Sequence, residues 1–116
     1  MPRRRDQRDI TFQVIDDRLV RTVTLPDGRT YAHRCTRDVF REVAYAIEER
    51  AADGVTMQII AEAIDVPYTQ VNVALEFMKE RGCVEVRRRR TYATSGCLYE
   101  DAMIEFMYLA ECPHEA

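Results

Sequence analysis

Short runs in which apolar and polar residues alternate predict β-strands near the start of the chain. Residues 10–15 and 19–25 are rich in Val, Ile, Thr and Phe, and the polar residues 16–18 between them are suited to a tight turn. A second turn, rich in Pro and Gly, follows, and residues 30–33 are a candidate third strand. We therefore assign an N-terminal β-hairpin to residues 10–35.

The period changes at residue 36, after which apolar residues recur every three or four positions and predict helices. A first helix begins after the N-cap Thr36 and stops near residue 53. A second helix, residues 57–64, follows another threonine N-cap. A third helix covers residues 67–81, because Pro67 forces the preceding residue out of helical geometry and suits the first position of a new helix.

The rest of the chain predicts a second hairpin, a final helix and a flexible arm. Residues 83–88 and 91–94 are typical of two strands and flank an arginine-rich turn. The pattern predicts the last helix over residues 98–112. Residues 1–9 contain four arginines and almost no apolar side chains, so we expect a flexible basic arm there.

Two helices joined by a tight turn and followed by a hairpin resemble the winged helix-turn-helix family of DNA-binding domains. The resemblance covers residues 36–94 and rests on the spacing of Ala61, Val66, Val71, Leu75, Met78 and Gly82. Asp65 stands where the family usually has glycine, but Asp tolerates left-handed backbone, so the turn is retained. Pro67 stands where the family usually has a Ser or Thr cap.

The resemblance implies an α+β fold of one compact domain. A winged helix-turn-helix, with a three-helix core plus a β-wing, then occupies residues 36–95. The N-terminal β-hairpin precedes it, and a C-terminal helix in residues 96–116 follows it. The same fold also serves as a protein-interaction module, so the resemblance alone leaves the function open.

Charge is distributed unevenly along the chain of 116 residues, whose net charge is −3. Residues 1–35 and 83–95 each carry +3, whereas residues 36–82 and 96–116 are acidic. Both basic segments are long enough to reach a phosphate backbone, and both are equally compatible with ordinary solvated surface.

In family members that bind DNA, the third helix lies in the major groove. Carried over by position, the contacting residues are Tyr68, Thr69, Gln70, Asn72 and Val73. Gln70 and Asn72 have the amide groups that pair with adenine, and a tyrosine or threonine hydroxyl can hold a phosphate. The stretch contains no arginine, and Glu76 turns toward the same side, so this helix is a weak electrostatic match to DNA.

The predicted wing supplies the missing positive charge. Its tip contains Arg87, Arg88, Arg89 and Arg90, with Tyr92 just beyond them. Each phosphate that these arginines neutralise adds about one unit of salt dependence to binding. The alternative is a solvated arginine turn that keeps an edge strand from pairing with another chain.

The final helix is apolar around more than the single stripe that a small domain needs to cover. The excess predicts a homodimer that uses Leu98, Ala102, Met103, Phe106, Met107 and Ala110. The alternative is that this helix packs between the N-terminal hairpin and the three-helix core within one monomer. Phe77 lies off the main apolar stripe of the third helix, so we expect it to contact the last helix or a partner.

Several classes of chemistry lack support in the sequence. The four cysteines form no Cys-x-x-Cys pair and the two histidines lie near the two ends, so we expect no metal and no disulfide framework. No phosphate-binding glycine loop or nucleophile–base arrangement is present, so we expect neither an enzyme nor a cofactor. No apolar run is long enough to cross a bilayer and no secretory signal is evident, which favours the cytoplasm and no membrane partner.

These observations predict a dimeric transcription regulator that binds double-stranded DNA without catalysis. The alternative is a protein-interaction module that docks on another polypeptide through Val73, Phe77 and the final helix.

Overall fold

The computed structural model describes residues 9–112. This range forms four helices and two antiparallel sheets, an α+β architecture. In chain order the elements are β1 (Asp9–Ile15), β2 (Arg18–Thr24), β3 (Thr30–Thr36), α1 (Arg37–Glu49), α2 (Met57–Ile64), α3 (Tyr68–Glu80), β4 (Val84–Arg87), β5 (Arg90–Ala93) and α4 (Leu98–Glu111). The predicted basic arm lies outside the described residues, except for Asp9, which begins β1. Residues 113–116, the end of the predicted C-terminal segment, also lie outside the described residues.

The first sheet has the strand order β1-β2-β3, with both pairs antiparallel. Asp16 and Asp17 connect β1 to β2 with φ of 52° and 65°, as a two-residue type I′ turn requires. The third strand ends at Thr36, three residues beyond the predicted end. Thr36 also caps α1, because its Oγ1 accepts a hydrogen bond from the backbone N of Val39 at 3.2 Å. The strand therefore passes into the helix without a loop.

The boundaries of α2 and α3 follow from their capping residues. Thr56 caps α2 by accepting a hydrogen bond from the backbone N of Ile59 at 3.1 Å. Asp65 ends α2 in the left-handed conformation with φ of 54°, as the sequence analysis expected of an aspartate there. Pro67 follows as the N-cap of α3 and makes no side-chain capping bond. The connection between the two helices is only three residues long.

Phe77 of α3 is fully buried and joins the first sheet to the helices. Its ring centroid lies 5.3 Å from that of Phe12 on β1 and 5.8 Å from that of Phe40 on α1. Both contacts are edge-to-face, an arrangement that contributes beyond the buried area alone. The expectation that Phe77 meets a partner chain is therefore wrong.

α4 packs against both α1 and β1, so one side of it is buried within the monomer. Its buried residues are Leu98, Ala102, Phe106 and Leu109. The Phe106 ring centroid lies 5.1 Å from that of Phe40. The prediction that Leu98, Ala102 and Phe106 face a second chain is wrong, because all three are buried in the monomer core, where α4 packs against α1 and β1.

Arg21 on β2 is the one buried charged residue in the described part of the chain, with 6% of its surface exposed. Its Nη1 donates a hydrogen bond to Oε1 of Glu76 on α3 at 2.7 Å. Its Nη2 lies 3.0 Å from Nδ1 of His33 on β3, and because a guanidinium only donates, that nitrogen accepts. Glu76 therefore compensates a charge whose burial alone would be costly.

The cysteines are all free thiols, but they differ in accessibility. Desolvation by burial raises the pKa of Cys35 to about 12, and the same cause is the largest in raising the pKa of Cys83 to about 11. Both thiols stay protonated and poorly reactive near neutral pH. Cys97 is exposed and Cys112 is half-buried. Among the described residues, no group of three potential ligands converges on a metal position, and no helix is long and apolar enough to span a membrane.

Replacement of Phe77 by Ala is expected to lower the free energy of unfolding by about 3–5 kcal/mol, because it leaves a cavity between the sheet and the helices. Urea denaturation measures the change. Val86→Ala is the matched control, because Val86 is half exposed and its truncation should change stability by about 0.5 kcal/mol or less. Equal effects of the two substitutions would show that Phe77 does not hold the sheet in place.

Candidate nucleic-acid interface

α3 presents a narrow polar strip to solvent. Tyr68 and Thr69 are exposed and Asn72 is half-buried. Glu76 and Lys79 continue the strip along the same side of the helix, because successive residues are separated by about 100° around its axis. Three of the five residues predicted to contact DNA on this helix therefore lie together on its accessible side.

The other two predicted residues of α3 are occupied elsewhere. Val73 is fully buried, so the prediction that it contacts DNA is wrong. Gln70 is half-buried, and its Oε1 accepts a hydrogen bond from the backbone N of Thr36 at 3.0 Å. The cause is the same for both, since the first sheet packs along this side of α3 and contacts it through β2 and β3.

A second apolar stripe on α3 explains why the sheet packs there. Val73 and Phe77 are four residues apart and so lie one above the other on the helix surface, beside the stripe formed by Val71, Ala74 and Met78. From the sequence alone, the buried face of this helix was predicted to consist of Val71, Ala74, Leu75 and Met78. The signal was present in the i, i+4 pair, but nothing local distinguishes a stripe that meets a sheet from one that meets a partner.

Glu76 would repel DNA phosphates if it were unpaired, but Arg21 compensates its charge. Oε1 of Glu76 accepts from Arg21 Nη1 at 2.7 Å, and 36% of the Glu76 side chain remains exposed. The sequence analysis did not foresee this pair, because its members are far apart in the chain. The one indication in the sequence is that Arg21 lies between the apolar residues Leu19 and Val23 on the same side of its strand, which suggests a buried arginine that needs an acidic partner.

β4 and β5 form a hairpin whose tip is basic. Arg87 pairs with Arg90 across the strands, and Arg88 and Arg89 form the two-residue turn between them. Their φ values are 51° and 70°, in the left-handed region that Gly and Asn adopt more easily. All four arginines are exposed, and the two turn residues carry a backbone cost of about 1–3 kcal/mol each.

The base of the hairpin is held by contacts of Arg87, Arg90 and Tyr92. The Arg87 guanidinium lies 4.0 Å from the centroid of the Tyr92 ring, and its Nε is 3.3 Å from a carboxylate oxygen of Glu85. Arg90 Nη1 donates to the carbonyl oxygen of Gly54 at 3.3 Å. Arg88 and Arg89 have no ion-pair partner within residues 9–112.

Gly54 packs closely against the Tyr92 ring of the hairpin, a contact that was not predicted from the sequence. Gly54 has φ of +74°, and a Cβ placed there would lie 2.6 Å from Cζ of Tyr92. The next residue, Val55, exchanges two backbone hydrogen bonds with Thr91, with N–O distances of 3.0 and 2.7 Å. The segment between α1 and α2 thus forms an isolated bridge to β5 and fixes the hairpin relative to the helices.

Comparisons of this chain with protein-family models, with curated proteins and with solved structures gave no significant match.

Gly54→Ala is expected to destabilise the protein more than Gly82→Ala does. Both glycines have φ close to +75°, so both variants lose about 1 kcal/mol to the unfavourable backbone conformation. Only at Gly54 does the new methyl group also collide with Tyr92, which adds about 1–3 kcal/mol. Urea denaturation compares the two variants.

Tyr92→Ala provides the check on the cause. In that background the excess cost of Gly54→Ala over Gly82→Ala should disappear, as in a double-mutant cycle. An excess that persists without the tyrosine ring would contradict the contact between Gly54 and Tyr92.

Proposed function

We propose that this chain is a DNA-binding protein of the winged helix-turn-helix type. In this proposal α1, α2 and α3 are the three-helix core, α3 is the recognition helix, and the β4–β5 hairpin is the wing. The left-handed turn at Asp65, the short connection from α2 to α3 and the bridge from Val55 to Thr91 support the assignment.

The observation that carries the proposal is the pair of arginines at the hairpin turn. Asn-Gly or a similar pair forms such a turn with less strain, whereas Arg88 and Arg89 adopt positive φ and place two like charges side by side. A turn whose only role is to keep an edge strand soluble does not need charge at the two strained positions. Two exposed guanidinium groups that have no carboxylate partner among residues 9–112 are suited to phosphates or to a narrow minor groove.

The exposed strip of α3 adds base recognition to this attraction. The Asn72 amide is the group that pairs with the N6 and N7 atoms of adenine, and the hydroxyls of Tyr68 and Thr69 are suited to phosphate oxygens. Glu76 is suited to accept a hydrogen bond from the N4 amino group of cytosine, with Arg21 holding the carboxylate in place. Gln70 is not included, because its carbonyl oxygen already bonds to Thr36.

We also propose that the protein acts as a homodimer through the outer face of α4, and that it regulates transcription. Met103, Met107 and Ala110, which were predicted for the dimer, are half-buried on this helix. Beside them, Ile104 and Tyr108 are 63% and 50% exposed. This apolar face replaces the buried residues of the original set, and a two-fold axis through it would pair two recognition helices.

A protein-interaction module is the second candidate, and the exposed face of α4 is the observation that favours it. Of the contacts first assigned to that function only the final helix remains, because Val73 and Phe77 are buried and cannot meet a partner. Under this alternative the wing arginines are dispensable.

Replacement of both Arg88 and Arg89 by Ala is expected to weaken binding to a short random-sequence duplex. The slope of log K against log salt should fall in magnitude by about 2, because each arginine releases about one counterion from the duplex. Fluorescence anisotropy over a series of low salt concentrations measures both the affinity and the slope.

Arg29→Ala is the matched control for each single variant. Arg29 is an exposed arginine in the turn between β2 and β3, where its Nε lies 2.8 Å from an oxygen of Asp27. Its replacement by Ala removes the same charge as Arg88→Ala, but at a position distant in sequence from the wing. If Arg29→Ala lowers the slope as much as Arg88→Ala, the attraction is general to the surface. If the unaltered protein shows no binding at low salt, the proposed function is wrong and the interaction module is favoured.

A further inference from the structure

α1, the end of α2 and the first turn of α4 surround an open cleft of about 930 Å³. No residue of α3 or of the β4–β5 hairpin lines it. The cleft is therefore separate from the proposed DNA-binding surface, and its volume is within the range of small-molecule sites, roughly 300–1,000 Å³.

Two tyrosines give the cleft an aromatic wall. Tyr45 on α1 is 54% exposed, and its ring centroid lies 6.2 Å from that of Tyr99 on α4 in an edge-to-face arrangement. Ala46 and Ile64 add apolar surface. Exposed tyrosine rings beside apolar side chains suit a ligand with methylene groups, and ring faces also attract ammonium groups.

The charge of the cleft is strongly negative, in contrast to the arginine-rich hairpin. Five carboxylates and two guanidinium groups line it, for a formal charge of −3. Some of these groups have structural partners: Oε1 of Glu48 accepts from the backbone N of Tyr99 at 2.8 Å, and Arg41 Nε donates to the hydroxyl of Tyr99 at 3.1 Å. Two carboxylates also face guanidinium groups, with Nη1 of Arg41 3.7 Å from Asp38 and Nη1 of Arg50 3.9 Å from Glu49. Glu42 and Glu100 have no ion-pair partner in the described part of the chain.

The carboxylates on α1 form a row. This row lies along one face of the helix, because its members are separated by four, three and four residues: Asp38, Glu42, Tyr45 and Glu49. Tyr45 is the one uncharged member and lies between the carboxylates of Glu42 and Glu49. At 1.5 Å per residue this row is about 16 Å long, with about 6 Å between the first two carboxylates. The negative charge is thus spread along the cleft and does not converge on one point as a metal site requires.

We propose that this cleft binds a linear aliphatic polyamine. The terminal ammonium groups of a triamine with three- and four-carbon methylene chains lie about two helical turns apart, which matches the seven-residue separation of Glu42 and Glu49 on α1. The methylene chains lie against Tyr45 and Tyr99, and the ammonium groups meet Glu42, Glu49 and Glu100. The proposal goes beyond DNA binding and does not depend on it, because the two surfaces share no residue.

Spermidine is the probe, and isothermal titration calorimetry at low salt is the measurement. Saturable binding at one site is expected, and the Glu42→Gln/Glu49→Gln double variant should weaken it by about tenfold, since two partly exposed charge pairs are lost. The matched control is Glu80→Gln/Glu111→Gln, which removes the same charge from exposed positions outside the cleft and should change the affinity less than twofold.

Cys97 provides a second measurement, because it is exposed and lines the cleft. In a Cys112→Ser background it is the one accessible thiol of the described residues, since Cys35 and Cys83 are buried. Spermidine should slow the alkylation of Cys97 by iodoacetamide severalfold, and the Glu42→Gln/Glu49→Gln substitutions should abolish this protection. Unchanged alkylation in the presence of bound spermidine would place the ligand elsewhere and overturn the proposal.

Three further results would overturn it. Equal weakening by the cleft variant and by its control would indicate diffuse attraction to an acidic protein. Binding of butylamine or of Mg²⁺ as tight as that of spermidine would show that the spacing of the charges is irrelevant. Binding that appears only after removal of residues 1–8 would show that the cleft is occupied by this arginine-rich segment and not by a polyamine.

Discussion

The packing of Phe77 between the first sheet and the helices is the contact on which the rest of the structure depends. Phe77 touches Phe12 on one side and Phe40 on the other, so a single ring joins β1, α1 and α3. Because Val73 lies one turn earlier on the same side of α3, the sheet covers that whole side of the helix. The consequence for function is that α3 keeps only a narrow polar strip, and this strip has little positive charge. Any strong attraction to a polyanion has to come from another element, and the arginine turn of the β4–β5 hairpin is the one suited to supply it.

The arginine turn and the acidic cleft lie on different elements of this small protein. The arginines of the hairpin project from strands that are anchored through Gly54 and Tyr92, whereas the acidic row lies on α1. On α3, the charge of Glu76, the acidic residue of the polar strip, is compensated by Arg21. Screening limits exposed charges to an effective range of about 10 Å, so the small net negative charge of the chain does not cancel the positive charge at the hairpin turn.

Local signals in the sequence were sufficient for much of the fold. The caps at Thr36 and Thr56 and the left-handed turn at Asp65 depend on residues that are close in the chain, and the structure contains all three. The face that each helix buries depends on distant elements, which explains the errors. If α3 packed only against α1 and α2, Val73 would lie on its solvent-exposed side. It is a core residue because the first sheet packs on that side. Similarly, the sequence shows more apolar residues on α4 than one stripe needs, but which of them are buried depends on how α4 docks against α1 and β1.

Under the proposed function, α3 and the hairpin turn act together as a surface for DNA, and the acidic cleft takes no part. Titration of the ¹⁵N-labelled protein with a short random-sequence duplex at low salt tests it directly. The account predicts saturable changes in amide chemical shifts at residues 68–72 and 87–90, with residues 38–49 unaffected. Changes confined to α4, or no saturable change at any residue, would contradict it.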